Sequence, residues 1–403
     1  MQNPRCRWER HGSGQRGRYD DDLPSMRKAV VAGAGIGGLA TAVALRSAGF
    51  EVQVLERVRE LREIGAAVVV WPNGTRALRA LGVQPPWREV EQLVLYRQDG
   101  RILMRVPVAE MPKRYGSGMM VVHRGQLHAA LLAALADRSI RLGAEVIGFT
   151  DAADCVAVTL SGGEVLEGDF LVGADGLRSA VRKVLIGDGE PTYQGFTAWR
   201  GEIPAGKFEL DAGTGRNWWG RGGEFLAFPL TDGSVYWAGT ANVPASAVPR
   251  PRGHKHDVLT RFQGWEHSVM EIISATDEEA IIRTDIYDRD PVRTWSRGRV
   301  TLVGDAAHPM TPSQGQGACQ ALEDAVALAG SLARCEAPQP AFADYERKRL
   351  GLANRMVRLS RQASRSVQAE NPFTSALRNT LVSMMPKGMI LTVLDMNFGR
   401  PAA

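Results

Sequence analysis

The sequence predicts an α/β fold, in which a Rossmann-like nucleotide-binding domain carries an inserted antiparallel β-sheet and C-terminal helices. Glycine-rich turns follow buried apolar runs at three places, which begin at Gly33, Gly173 and Gly304. Strand-like alternation dominates between about residues 191 and 284, and six of the nine tryptophans lie between positions 199 and 295. The tail, Tyr345–Arg361, alternates charged and apolar residues at helical spacing, which predicts a surface helix.

The first turn follows an apolar strand and opens a helix that ends at a glycine. Gly33 permits the tight turn, Gly35 lets the backbone approach a pyrophosphate, and Gly38 allows close packing of helix on strand. The helix N-terminus offers unpaired N–H groups and a partial positive charge to phosphates. A second strand, Val52–Leu55, delivers Glu56 at the spacing of an acid that binds ribose hydroxyls. The pattern therefore predicts a bound dinucleotide.

Composition excludes several classes of protein. A chain of 403 residues predicts two lobes, and a net charge of +5 without a Lys/Arg stripe argues against nucleic acid as a partner. No apolar run reaches the roughly 18–20 residues of a membrane span, so stable membrane insertion is not expected. The cysteines form no Cys-x-x-Cys pair, which predicts reduced thiols, a cytoplasmic location and no metal site: Cys6, Cys155, Cys319 and Cys335.

The N-terminal segment differs from the rest of the chain. Met1–Ser25 is rich in Arg, Gly and Ser and nearly free of apolar residues, so it is predicted to be a disordered extension. Met26 directly precedes the first strand and is a candidate start of translation.

Strand and helix signals then alternate. Helices are expected over Thr75–Leu81 and Leu127–Ala136, and a small hairpin layer over residues 145–160. Buried strands enter the second and third glycine segments, and Asp305 ends the last strand where such folds bind ligands. A helix is expected over Ala318–Ala329. The aromatic density of residues 191–284 predicts a sheet with one face turned to a ligand and some aromatics lining an apolar cavity.

Taken together, the three segments resemble the fingerprint, the DG motif (Gly173–Ser179) and the GD motif (Gly304–Pro309) of single-component, class A FAD-dependent monooxygenases, the p-hydroxybenzoate hydroxylase-like class. The resemblance covers nearly all of residues 26–365. It implies an FAD-binding domain of the glutathione-reductase type (26–90, 115–190 and 285–340), an inserted antiparallel β-sheet substrate domain (91–114 and 191–284) and C-terminal helices (341–403).

The fingerprint and the resemblance together give the expected FAD-binding residues. The resemblance implies that Asp305 binds the ribitol or pyrophosphate side, that Arg124 contacts the cofactor, and that Asp175 acts in the use of both FAD and NAD(P)H. The complete expected set is Gly33, Gly35, Gly37, Gly38, Glu56, Arg57, Val69, Arg124, Val146, Asp175, Asp305, Gly315, Gln316, Gly317, Ala318 and Cys319.

The resemblance also implies the reaction. NAD(P)H reduces FAD, O2 adds to give a C4a-hydroperoxide, and this species hydroxylates or epoxidises an aromatic or other electron-rich, apolar small molecule. The helix that begins near Gly317 would stabilise negative charge on the reduced flavin. Exclusion of water preserves the hydroperoxide, which fits an apolar pocket.

Within the class, the chain resembles the short branch of urate hydroxylase and 3-hydroxybenzoate 6-hydroxylase at Ile64–Ala67, Trp71–Gly74 and Gly315–Cys319. Their substrate residues do not all carry over. Tyr236 matches a tyrosine of the urate enzyme, but Glu224 replaces its arginine; Ala227 and Pro312 replace a histidine and a glutamine of the hydroxybenzoate enzyme.

Three side chains are the candidates for catalytic or substrate contacts. Tyr236 is expected to hydrogen-bond the substrate. Glu224 either recognises a cationic or donor group or faces solvent. His308 is either a general base or a residue that holds its loop.

Other classes stay open. A flavin-dependent reductase of isoprenoid or other unsaturated chains would bind FAD similarly, and a non-catalytic flavin-fold carrier is a second alternative. A halogenase lacks support because no Trp-x-Trp-x-Ile-Pro segment occurs. The sequence chooses neither NADH nor NADPH, and a homodimer stays open.

Overall fold

The computed structural model describes residues 28–61, 67–135, 139–245 and 253–398. The expectations for residues 1–25, for Met26 and for the Ile64–Ala66 part of the short-branch motif lie outside these residues. The strands are β1 (Lys28–Ala32), β2 (Glu51–Glu56), β3 (Ala67–Val70), β4 (Arg88–Val90), β5 (Gln92–Arg97), β6 (Ile102–Val106), β7 (Met119–His123), β8 (Ile140–Leu142), β9 (Val146–Asp151), β10 (Val156–Leu160), β11 (Val165–Gly168), β12 (Phe170–Gly173), β13 (Thr192–Ile203), β14 (Thr214–Trp219), β15 (Gly223–Pro229), β16 (Val235–Asn242), β17 (Ile282–Asp288) and β18 (Val300–Leu302).

The α-helices are α1 (Ile36–Ser47), α2 (Pro72–Ala80), α3 (Met111–Tyr115), α4 (Arg124–Leu135), α5 (Ala180–Leu185), α6 (Gly253–Arg261), α7 (His267–Ala275), α8 (Gly317–Leu332), α9 (Pro338–Val367), α10 (Pro372–Ser383) and α11 (Lys387–Phe398). The second of these begins at Pro72 rather than at the expected Thr75, because proline is well suited to the first turn of a helix.

A parallel sheet holds all three glycine segments. Its order is β18-β12-β1-β2-β8, and each pair of neighbours is parallel. Every residue of β12 and β18 is buried, and β1 is buried apart from Lys28 at its start. The antiparallel β11-β10-β9 sheet packs against β1 and β12, and α1 packs beside α8. The predicted Rossmann-like α/β fold is confirmed.

The inserted sheet has seven strands in the order β17-β13-β16-β15-β14-β5-β6. All its pairs are antiparallel except β14 with β5, which run parallel from Thr214 beside Gln92 to Trp219 beside Arg97. The predicted antiparallel sheet is therefore correct apart from this pair. The parallel pair arises because β5 and β6 come from a separate, earlier part of the chain.

Three of the tryptophans belong to the core rather than to a ligand-facing surface. Trp199, Trp218 and Trp237 are at most 1% exposed and pack with Phe225 and Phe262 beneath α6 and α7. They form the core on the far face of the sheet. The opposite face carries Tyr236 and Phe228 and packs toward β3, β4 and β7, which form a small antiparallel sheet.

The C-terminal helices extend the parallel-sheet layer. The helix α9 spans 30 residues, well beyond the predicted Tyr345–Arg361, and one side of it is buried. Tyr345 donates to the carbonyl of Leu302 at 3.1 Å, which joins α9 to the end of β18. Among the described helices, none is both long and apolar enough to cross a membrane.

One of the cysteines expected to be reduced lies in the core. Cys319 is a free, buried thiol, as expected.

Candidate active site

The first turn has the shape that its glycines predict. Gly33 has a φ of +102°, and a Cβ there would collide with the carbonyl of Ala174. A Cβ at Gly38 would collide with the carbonyl of Gly33, whereas one at Gly37 would lie 3.3 Å from the Cβ of Ala321 in α8. At Gly35 the space within 4 Å is empty, and α1 begins there without a side-chain cap. The turn is therefore closely packed at Gly33 and Gly38 and leaves open space at Gly35.

Glu56 forms hydrogen bonds with the backbone beside this turn. Its Oε2 accepts the N–H of Ala34 at 2.7 Å and its Oε1 accepts the N–H of Val58 at 3.1 Å. The carbonyl of Ala34 lies 2.7 Å from Nε2 of His128 in α4. The carboxylate is therefore fixed in direction beside the open front of α1, while the neighbouring Arg57 is exposed.

The second glycine segment builds a helix start. Asp175 accepts hydrogen bonds from the hydroxyl of Ser179 and from the N–H groups of Ala180, at 2.7 Å, and Val181, at 3.2 Å. Burial raises the pKa of Asp175, and these hydrogen bonds oppose the rise. The carboxylate thus holds the first turn of α5, a contact that the sequence did not indicate.

Arg182 joins the second segment to the third. Its side chain is fully buried, and one terminal nitrogen donates to the carbonyls of Ala306, at 2.9 Å, and Ala307, at 2.8 Å. Its Nε donates to both carboxylate oxygens of Asp188 at 3.0–3.1 Å. Sequence analysis gave Arg182 no role, although a buried arginine directly after the DG motif fixes the position of the GD loop.

His308 is held by a buried ionic network. Its Nε2 lies 2.5 Å from Oδ2 of Asp324, which also accepts the N–H of Gly304 at 3.0 Å. Arg349 donates from Nε to the other oxygen of Asp324 at 2.9 Å. Burial opposes ionisation of Asp324, but His308 and Arg349 outweigh it and lower its pKa to about 2. The imidazole therefore anchors the loop to α8 and α9.

Asp305 points away from that network. Its side chain is exposed to a crevice where the Gly317 backbone begins α8, and a Cβ on Gly317 would lie 4.0 Å from its Oδ1. The surrounding protein desolvates the carboxyl and raises its pKa, while His308 and Arg124 act in the opposite direction. Asp305 and the exposed Arg124 are thus brought to the same crevice.

The loop before α8 is shaped by its contact with Trp71. Gly315 has a φ of +59°, and Nε1 of Trp71 donates to the carbonyl of Gln314 at 3.1 Å. The N–H of Trp71 points to the sulfur of Cys319 at 3.4 Å, and burial raises the pKa of that thiol to about 12. Cys319 is therefore a neutral packing residue.

Other expected cofactor residues lie at different depths around this loop. Val69 in β3 is partly buried beside Gly315, and Ala318 is partly buried at the start of α8. Gln316 is buried, and its Nε2 has no hydrogen-bond partner among the described residues. Val146 lies apart from the loop, buried in the core at the start of β9.

An apolar cluster lines the region between this loop and the seven-stranded sheet. Tyr236 and Phe228, neighbours on β16 and β15, belong to it, and burial raises the pKa of Tyr236 while Arg200 opposes the rise. Phe398 of α11 stacks on Trp71 at 4.8 Å between ring centroids. Four methionines add adaptable apolar surface: Met104, Met111, Met119 and Met385.

Glu224 forms the polar end of this apolar cluster, on the same face of the sheet as Tyr236. It is 7% exposed, and burial raises its pKa to about 7, against the opposing effects of Asn217, Arg378 and Trp219. Its N–H donates to the hydroxyl of Thr240 at 3.3 Å. It does not face solvent, which excludes one of the two sequence-based alternatives for this residue.

The polar end leaves hydrogen-bonding capacity unused. Gln368 donates to the hydroxyl of Thr240 at 2.6 Å, but its Oε1 has no partner among the described residues, nor do Oδ1 of Asn217 and Nε1 of Trp219. Arg378 lies over the Trp219 ring at 5.4 Å. Gln368 also lines a cleft of about 710 Å³ between the start of β13 and the end of α9. Sequence analysis missed Gln368 and Arg378 because both come from helices distant in the chain.

Comparison with known proteins decides the family. The family described as FAD binding domain matches residues 26–197 and 265–360. The chain belongs to this FAD-binding family. It is 40% identical over 365 residues to the aurachin C monooxygenase/isomerase of Stigmatella aurantiaca, covering 88% of this chain and 94% of the relative. It is 36% identical to 3-hydroxybenzoate 6-hydroxylase 1 of Aquipseudomonas alcaligenes, covering 88% and 93% of the two chains.

A solved structure supports the same family assignment. The structure of Klebsiella pneumoniae HpxO complexed with FAD and uric acid superposes with a TM-score of 0.84 at 29% identity, covering 91% of this chain and 97% of that one. The predicted class A FAD-dependent monooxygenase is therefore confirmed, and FAD is its cofactor. The open space at Gly35 and the uncapped start of α1 fit a diphosphate, since both a backbone approach and N–H donors are offered there.

Proposed function

We propose that this monooxygenase uses NAD(P)H and O2 to hydroxylate or epoxidise a mainly apolar aromatic, or otherwise electron-rich, small molecule. The observation that carries the proposal is the apolar cluster around Tyr236 and Phe228, which ends in the buried Glu224. The names of the relatives favour small aromatic substrates, such as 3-hydroxybenzoate and uric acid. A homodimer and a cytoplasmic location stay predictions.

The cofactor would lie along the line of the three glycine segments. Glu56 would accept from ribose hydroxyls, and the turn at Gly35 would bind the diphosphate. Asp305 and Arg124 would face the ribitol side, and the Gly315–Cys319 loop would contact the flavin ring. When bound, FAD supplies the electron-transfer and oxygen-activating chemistry of the family.

The start of α8 would complement charge on the reduced ring. This helix has 16 residues and no side-chain cap, so its first N–H groups face the crevice beside Asp305. Asp175 and Arg182 would act by holding the two loops that frame this crevice. His308 would have the same structural role, because its buried contact with Asp324 holds the GD loop against α8.

The substrate would lie between the loop and the sheet. Tyr236 would donate a hydrogen bond to it, and Trp71 with Phe398 would close the apolar side and exclude water. Burial raises the pKa of Glu224 to about 7, so its neutral form is far more accessible near neutral pH than that of an exposed carboxyl. A neutral carboxyl both donates and accepts, so the polar end suits a ring N–H, hydroxyl or carbonyl group.

Oxidation of NADH and NADPH tests the proposal. Consumption is measured against a panel of phenols, purines and bicyclic aromatics, and products are scored for one oxygen atom from labelled O2. Substrate-stimulated oxidation with oxygen incorporation is expected. Oxidation that yields only hydrogen peroxide with every compound, or a reduced double bond without oxygen incorporation, would contradict it.

The substrate contact has its own variant pair. Tyr236→Phe removes a hydroxyl from the apolar cluster, and Tyr96→Phe removes one from the opposite face of the sheet, where Tyr96 stacks on Trp218. Tyr236→Phe is expected to lower kcat/KM about tenfold, the value of one hydrogen bond, with Tyr96→Phe unchanged. Equal effects of the two variants would remove Tyr236 from the substrate site.

A further inference from the structure

The last two helices carry several large apolar side chains on the outside. On α10, four exposed residues recur at helical spacing: Phe373, Leu377, Leu381 and, one residue beyond its end, Met384. On α11, three more share one face: Met389, Val393 and Met396. Phe373 is 83% exposed and Met384 is 73% exposed. We call these seven residues the hairpin stripe.

Two polar side chains of α10 point inward instead. Ser375 donates to the carbonyl of Ala369 at 2.8 Å, and Arg378 donates to the carbonyls of Val367 and Gly220 at 3.0 Å each. A surface helix normally has its apolar side toward the core. Large apolar side chains that recur along the outer face of a helix mark an interaction site.

The stripe itself carries no charge. From residue 371 to residue 398 there are three ionisable side chains, and all three are engaged in contacts with the body of the protein. Arg378 is buried, Lys387 pairs with Glu110, and Asp395 accepts from Tyr115 at 2.7 Å. The outer face is therefore free to enter an apolar phase without burying an unpaired charge.

Three cations lie near the stripe. Arg355 reaches the sulfur of Met396 at 3.7 Å, and Arg358 is exposed one turn further along α9. Lys387, the first residue of α11, is 66% exposed while it pairs with Glu110.

An apolar face with a basic rim matches a surface of anionic lipid. Apolar side chains enter the boundary of headgroups and acyl chains, and Lys or Arg side chains remain with the phosphates. A second copy of the chain fits less well, because symmetric pairing would bring two basic rims together. We propose that the hairpin stripe docks this enzyme peripherally on an anionic membrane surface.

The inner face of the same hairpin contacts the active site. Ile390, Leu394 and Phe398 of α11 belong to the apolar cluster that contains Tyr236, and Phe398 stacks on Trp71. Docking would therefore bring the lipid to within one helix of the apolar cluster. The docking proposal itself does not depend on which substrate the enzyme uses.

Sedimentation with vesicles tests the docking surface on the full-length, FAD-loaded protein. Vesicles of phosphatidylcholine alone are compared with vesicles that also contain phosphatidylglycerol. One variant exchanges three stripe residues: Phe373→Gln, Leu377→Gln and Leu381→Gln. The matched control exchanges three exposed apolar residues on β9, β11 and α5: Ile147→Gln, Val165→Gln and Val184→Gln.

The wild type and the control should bind the anionic vesicles, less tightly at high salt because the rim charges are screened. The stripe variant should bind at least about tenfold more weakly while keeping its flavin spectrum. Absence of wild-type binding, or equal binding by the stripe variant, would overturn the proposal. So would a dimer in sedimentation velocity that the stripe variant alone dissociates without any vesicle binding, since the occupant would then be a second copy.

Discussion

Replacing Glu224 with glutamine should remove a pH dependence from the stability of this enzyme. Burial raises the pKa of Glu224 from 4.5 to about 7 in the folded chain. Between these two values the folded state keeps a proton that the unfolded state has lost. Stability therefore falls as the pH rises through this window.

The size of the effect follows from the pKa. Each tenfold change in acidity corresponds to about 1.4 kcal/mol. The rise from 4.5 to about 7 thus represents about 3 kcal/mol of stability, present in full below about pH 4.5 and lost above about pH 7. At 7% exposure, solvent screens this effect little. Glutamine keeps the shape and hydrogen-bonding capacity of the protonated acid but does not ionise.

The measurement is the unfolding free energy of both proteins from pH 5 to pH 8, with saturating FAD. The variant should gain on the wild type as the pH rises, by up to about 3 kcal/mol. Glu209→Gln, at an exposed position in the loop between β13 and β14, is the control and should show no such trend. A difference between Glu224→Gln and the wild type that stays constant with pH would refute the buried, protonatable Glu224.

Three further outcomes follow from the cofactor crevice. Gly35→Val should leave a folded protein without FAD, because its side chain would fit into the empty space that the diphosphate needs. Gly38→Ala should instead lower yield and melting temperature, because its Cβ would collide with the turn. Equal FAD binding by Gly35→Val and the wild type would argue against the diphosphate site. Asp305→Ala should reduce the stabilisation that FAD gives in a melting-temperature titration, by about 1–3 kcal/mol, with Asp305→Asn milder; full stabilisation of the alanine variant would exclude cofactor contact. Arg182→Met should lower stability by about 1–3 kcal/mol, because the buried carbonyls of Ala306 and Ala307 lose their donor while Asp188 keeps its pairing with Arg289; a loss below about 1 kcal/mol in denaturant unfolding would contradict this.

The sequence determined what depends on neighbouring residues. A turn that needs a positive φ or a close backbone approach requires glycine at fixed spacing, so Gly33 and Gly38 could be predicted from a few residues. Apolar runs of four or five residues likewise gave the buried strands. The three segments together gave the fold class and the FAD-dependent monooxygenase family.

Tertiary structure decided what depends on distant residues. Strand alternation separates two faces of a sheet but does not say which one covers a core, so the sequence did not say which aromatic residues pack in the core. Arg182 contacts carbonyls more than a hundred positions away, Arg378 acts on Glu224 from α10, and Gln368 reaches Thr240 from the end of α9. The burial of Glu224, and hence its pKa, depends on side chains from several strands and helices. No local sequence pattern predicts it, because these side chains come from different parts of the chain.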